Sequence, residues 1–111
     1  MAYKFNQYQE AWLKDLETTK AKQCAGYLTD KGGYCCLGRA YVANGGIVVA
    51  CEYEGHHRVL GPNMIKNLKL RDEVGSFGES CLASLNDDDG LSFKEIAAFI
   101  RANPEMLFTD V

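Results

Sequence analysis

Apolar positions recur along this chain in short sets whose spacing changes several times. Between residues 5 and about 20, Tyr8, Trp12, Leu13 and Leu16 share one face, while Gln9, Lys14, Asp15 and Glu17 fall elsewhere. That recurrence predicts an amphipathic helix, with Trp12, the single tryptophan, anchoring it to the core. Residues 23–28 read as a short strand, 29–33 as a turn by composition, and 34–36 as a second strand pairing back. Leu37, Ala40, Tyr41 and Asn44 then have helical spacing over residues 36–44, and Asn44-Gly45-Gly46 supplies a stop. Residues 47–53 are rich in β-branched and aromatic side chains, Glu54-Gly55 can turn the chain, and residues 57–60 can return, which predicts a hairpin.

The second half begins with Gly61-Pro62-Asn63, where Pro62 suits the first turn of a short helix with Met64, Ile65, Leu68 and Leu70 on its apolar side. Residues 71–79 read as a loop, residues 80–85 as one or two helical turns, and residues 86–90 as a polar turn. The clearest local signal follows. In Leu91-Ser92-Phe93-Lys94-Glu95-Ile96, Ser92 and Glu95 have the spacing of a reciprocal capping box, and Leu91 and Ile96 that of a hydrophobic staple. Phe93, Ile96, Ala97 and Ile100 form the buried stripe of this helix, which Pro104 ends or kinks near Asn103. The expected fold is α+β: a single small domain over residues 1–111, with an N-terminal helix, a small antiparallel sheet or hairpins, and a capped C-terminal helix.

Composition agrees with one soluble domain. The chain has 111 residues, 47% of them hydrophobic and 24% charged. No apolar run approaches the roughly 18–20 residues of a membrane span, and the first residues lack the apolar core of a signal peptide, so the bacterial cytoplasm is the expected compartment and no membrane partner is expected. The net charge of −3 disfavours duplex DNA or RNA as a partner. Charge is nonetheless uneven. Residues 1–71 carry ten Lys/Arg against six Asp/Glu, and residues 72–111 carry two against nine. Residues 55–71 contain no acid, four basic side chains (Arg58, Lys66, Lys69, Arg71) and both histidines, which makes a local basic face.

Candidate chemistry is sparse. Cys24, Cys35, Cys36, Cys51 and Cys81 are an odd set without secretion signal, which argues against a disulfide framework. Their spacing, with His56 and His57, does not match the paired ligands of structural zinc. Asn86-Asp87-Asp88-Asp89-Gly90 resembles a calcium loop in composition, but aligning Gly90 with the invariant glycine puts Leu85 and Ile96 at ligand positions. No phosphate-loop or dinucleotide motif is present, so no cofactor is expected. Cys35 or Cys36 at a helix N-terminus is a candidate nucleophile, with His56 or His57 as base; the alternative, favoured here, is that both are small core residues, with Gly38 allowing close packing. Tyr27, Tyr34, Tyr41 and Tyr53 near turns can stack on a base or line the core.

Taken in order, Trp12, Tyr34-Cys35-Cys36-Leu37-Gly38, Leu82-Ala83-Ser84-Leu85-Asn86-Asp87, Gly90 and Ser92-Phe93-x-Glu95-Ile96-Ala97-x-x-Ile100 form a pattern that resembles a family of small phage and prophage proteins. It covers nearly the whole chain. The extra aspartate before Gly90 and Arg39-Ala40-Tyr41 in place of a more apolar continuation are its departures. The resemblance carries no activity or catalytic residue; it implies a small accessory protein acting inside a bacterial host. The resulting expectation is a non-enzymatic protein that binds and neutralises a host defence factor, by sequestering a small anionic, nucleotide-like ligand or by capping a host protein, with homo-oligomerisation a natural way to close such a surface. The candidate ligand-binding residues are Tyr34, Arg39, Tyr53, His56, His57, Arg58 and Lys66. A cysteine-dependent hydrolase or transferase and a metal-stabilised interaction module are the alternatives.

Overall fold

The computed structural model describes residues 3–25, 28–30, 32–45 and 60–110. The hairpin expected at residues 47–60 therefore falls, apart from Leu60, outside the described residues, as do Tyr27, Cys51, Tyr53, His56, His57 and Arg58.

Helix α1 (Gln7–Thr18) starts at a capping box that the hydropathy pattern did not reveal. The Gln9 backbone N–H donates to Asn6 Oδ1, and the Asn6 N–H donates to Gln9 Oε1, both at 2.8 Å. Gln9, expected on the polar side, is fully buried. Burial of an amide is tolerated when its hydrogen bonds are made, and the Gln9 Nε2 group donates to Tyr3 Oη and to the Leu68 carbonyl, each at 2.9 Å. Trp12, Leu13 and Leu16, at three, four and seven positions from Gln9, are buried on the same face. The Trp12 indole N–H donates to the Cys36 carbonyl at 2.8 Å, so the anchor is polar as well as apolar.

Strands β1 (Lys22–Gln23), β2 (Thr29–Asp30) and β3 (Gly33–Tyr34) form a small sheet in the order β1-β3-β2. It is mixed, where an antiparallel sheet was expected. β2 and β3 are an antiparallel hairpin pairing Thr29 with Tyr34 and Asp30 with Gly33, while β1 runs parallel to β3, pairing Lys22 with Gly33 and Gln23 with Tyr34. Residues 29, 30 and 33 of the predicted turn at 29–33 are thus strand, and Gly32 between the two strands has a positive φ of 79°, which glycine adopts readily.

Cys35 follows β3 and caps α2 (Cys36–Ala43). Helix α3 (Pro62–Leu68) has Pro62 in its first turn and closes on Lys69 in the left-handed region. The predicted loop at 71–79 contains β4 (Ser76–Phe77), which pairs with β5 (Ser80–Cys81). The helix expected from residue 80 consequently starts later, as α4 (Leu82–Asp87), and Asn86 and Asp87 are helical rather than part of a turn. Two of its early N–H groups, Leu82 and Ala83, donate to the carbonyls of Gly75 and Val74. Helix α5 (Phe93–Ala102) has the capping box and buried stripe read from the sequence, and Pro104 opens α6 (Pro104–Leu107). Helix α1 packs against α2, α3 and α5, and α2 against α4. Tyr3 stacks on Phe108 and its hydroxyl meets Asp110 Oδ1 at 2.6 Å, tying the described ends together. The fold is a small α+β domain.

Candidate functional site

Of the seven residues singled out in the sequence, three are described: Tyr34, Arg39 and Lys66. Tyr34 and Arg39 come together, but the geometry is internal. The Arg39 guanidinium is 8% exposed and grips Asp15 bidentately, Nε to Oδ2 and Nη2 to Oδ1, both 2.7 Å. Its plane lies over the Tyr34 ring at 4.8 Å. The Asp15 hydrogen bonds raise the Arg39 pKa further above its ordinary value. This arginine joins α2 to α1, and the strongest of its donors are spent there. Lys66 is exposed on α3, and no hydrogen bond or ion pair joins it to that pair.

The adjacent thiols are core groups. Cys35 and Cys36 are 5% and 0% exposed. Burial pushes the Cys35 thiol up to about 12 and the Cys36 thiol well above its ordinary value, the reverse of the activation expected at a helix N-terminus. Desolvation exceeds the stabilisation from the Gly38 N–H, which donates to Cys35 Sγ at 3.4 Å. Among the described residues no group of His, Cys, Asp and Glu side chains is placed to hold a metal ion. Of the aromatic candidates, Tyr41 is fully buried, and its hydroxyl accepts the Gly61 N–H at 2.7 Å.

A polar junction that the sequence did not expose sits beside these thiols. Asn86, 5% exposed, accepts on Oδ1 from the Cys36 N–H (3.1 Å) and from Gln23 Nε2 (2.7 Å). Its Nδ2 group donates to the Cys24 carbonyl (2.7 Å) and to Asp87 Oδ1 (2.8 Å). Gln23 Nε2 also reaches the Leu91 carbonyl at 2.7 Å. One amide thus ties β1, the start of α2 and α4 together. The two most distinctive runs of the sequence, Tyr34–Gly38 and Leu82–Asp87, meet here, since Cys36 Sγ also approaches the Leu82 carbonyl at 3.6 Å. Gly38 completes the junction: a Cβ there would lie 2.0 Å from the Leu28 carbonyl oxygen.

Open surface chemistry lies on the far side of Gln23. The end of α1, the segment through β1 and the start of α5 enclose an open groove of about 460 Å³, within the roughly 300–1,000 Å³ of small-molecule sites. Buried Leu16 and Phe93 form its floor, and exposed Lys20 and Lys94 stand on its walls with Thr19 and Ser92. The acid lining it, Glu17, is held by Arg101, Nε to Oε2 at 2.7 Å and Nη2 to Oε1 at 3.0 Å. Neither lysine makes an ion pair among the described residues, so the groove presents uncompensated positive charge. The sequence signal was weak: Lys20 and Lys94 are far apart in the chain, and neither belongs to the basic stretch at 55–71.

Among the described residues no helix is long and apolar enough to cross a membrane. Comparison with family models, with curated proteins and with solved structures finds no match for this chain.

Proposed function

We propose that this chain is a non-enzymatic binding protein that takes a small anionic, nucleotide-like ligand, and that it acts as a phage-type accessory factor neutralising a host defence signal. The observation that carries the reading is the groove between α1 and α5: an apolar floor of Leu16 and Phe93 beneath two unpaired lysines. An ammonium is a phosphate-binding point charge, and an apolar floor suits a planar ring. The raised thiol pKa values of Cys35 and Cys36 also favour binding over thiol catalysis. The phage context and the defence role rest on the sequence resemblance, and the bacterial cytoplasm follows from it.

Thermal denaturation against linear and cyclic nucleotides tests this. At a hundredfold excess over Kd, a ligand contributes about 2.7 kcal/mol, a shift of roughly 10 °C in Tm for a domain of this size. The expected result is a shift with at least one nucleotide that Lys20→Glu with Lys94→Glu removes. If Arg58→Ala or Lys66→Ala removes it while the lysine pair is silent, the site is the basic 55–71 stretch instead. No shift across the panel overturns the ligand reading.

A further inference from the structure

Cys24 and Cys35 occupy matching places where two parallel strands end. The register pairs Lys22 with Gly33 and Gln23 with Tyr34. The Cys24 N–H closes that last row by donating to the Tyr34 carbonyl at 2.8 Å; beyond it the Asn86 amide bridges the Cys36 N–H and the Cys24 carbonyl in place of the next ladder bond, and Cys24 and Cys35 are the residues that follow the paired row on the two strands. Neighbouring strands lie about 4.8 Å apart, partners in one parallel row point to the same face, and a disulfide spans Cα separations of roughly 4.4–6.8 Å.

Both cysteines are pinned. The Cys24 carbonyl accepts from Asn86 Nδ2 at 2.7 Å, and the Cys35 N–H donates to the Leu28 carbonyl at 3.1 Å. Their accessibilities differ: Cys24 is half-buried, Cys35 buried. Cys36 is engaged elsewhere, with its sulfur toward the Leu82 carbonyl.

We propose that Cys24 and Cys35 are a redox modification site, closing reversibly into an intrachain disulfide when a small disulfide such as glutathione disulfide is present. The Cys24 thiol loses its proton and attacks one sulfur of glutathione disulfide. The S–S bond breaks, one glutathione thiol leaves, and Cys24 carries a mixed disulfide. Cys35 then loses its proton and attacks the Cys24 sulfur, forming the protein disulfide and releasing the second glutathione. Two protein thiols are oxidised by two electrons, and one glutathione disulfide is reduced to two thiols. The burial that keeps Cys35 protonated makes the closing step slow, while the position of the equilibrium is set by the fit of the bond to the strands. The inference stands apart from the reading of the groove.

The test is a redox titration of the native protein, equilibrated in mixtures of glutathione and glutathione disulfide, trapped by alkylation and analysed as intact mass and as peptides. The expected outcome is a species that has lost two hydrogens and two alkylatable thiols, with Cys24 linked to Cys35, and that reverts in excess glutathione. Cys35→Ser removes the bridge and leaves Cys24 bearing glutathione; serine is a better helix N-cap than cysteine, so this variant keeps the fold. Cys36→Ala and Cys81→Ser retain the bridge. A wild-type protein whose Cys24 stays reduced throughout, carries only glutathione, or links to Cys36, Cys51, Cys81 or a second chain overturns the proposal.

Discussion

The junction around Asn86 and the groove between α1 and α5 share Gln23, yet they are built on opposite principles. At the junction, every donor and acceptor of a buried amide is matched, two thiols are sealed in, and a glycine lets two backbones touch. In the groove, apolar floor and lysine walls face open space, and the acid that would neutralise them is drawn off by Arg101. Substitution at the junction should therefore cost stability, and substitution in the groove should cost binding. The two regions can be separated by experiment on that basis.

Gly38→Ala should have the largest effect. Its Cβ would lie 2.0 Å from the Leu28 carbonyl oxygen, and the obstacle is backbone, so α2 must move away from residue 28. The loss is expected to reach the upper end of the overpacking range, about 3 kcal/mol, read as a lower urea midpoint with unchanged slope. A variant of wild-type stability would mean that α2 and residue 28 are not in this contact.

Asn86→Ala comes next, at about 3 kcal/mol, because the Cys36 N–H and the Cys24 carbonyl lose their partner together. Asn86→Asp is the sharper test. A carboxylate accepts from Cys36 and Gln23 but cannot donate to the Cys24 carbonyl, so it should be destabilised too. Full retention of stability in Asn86→Asp would remove the donor half of the junction from the account.

These two residues also show where the sequence was legible. The α5 helix was readable to its cap because Ser92, Glu95 and the apolar stripe act within one segment. Trp12 was recognisable as an anchor for the same reason. Asn86 was not: it sits beside three aspartates and reads as a turn, and its role depends on partners 50 to 63 positions away. Arg39 looked like a ligand-binding cation until Asp15, across α1, was seen to hold it. Its sequence carries no trace of that pairing, because no helical or strand period links residues 15 and 39. The strands Ser76–Phe77 and Ser80–Cys81 were missed because their pairing, not their composition, defines them, and by composition they hardly differ from a loop.

In the groove, reversing Lys20 and Lys94 together should leave the urea midpoint within about 0.5 kcal/mol of wild type, as for surface changes generally. Nucleotide affinity should fall by roughly tenfold or more, which corresponds to about 1.4 kcal/mol, with the loss shrinking as salt is raised. Equal affinity in the double variant would place any anion site elsewhere on the molecule.

The smallest expected effect runs through Arg101, which holds the acid at the groove. The Arg101 Nη2 group also reaches Glu10 Oε1 at 2.7 Å, and that hydrogen bond holds the Glu10 pKa below its ordinary value. Folded Glu10 therefore takes up its proton less readily than unfolded Glu10, so its contribution is complete above the ordinary glutamate range, near pH 4.3, and is lost as pH falls through the lowered folded value. Both side chains are about one-third exposed, and solvent screening keeps the contribution below about 1 kcal/mol. Arg101→Met should flatten this part of the acid limb of a stability–pH curve while costing little at neutral pH. It should also release Glu17 into the groove, where an unpaired carboxylate between Lys20 and Lys94 opposes an anion. A variant with normal acid sensitivity and undiminished nucleotide affinity would show that Arg101 neither holds Glu10 nor keeps the groove positive.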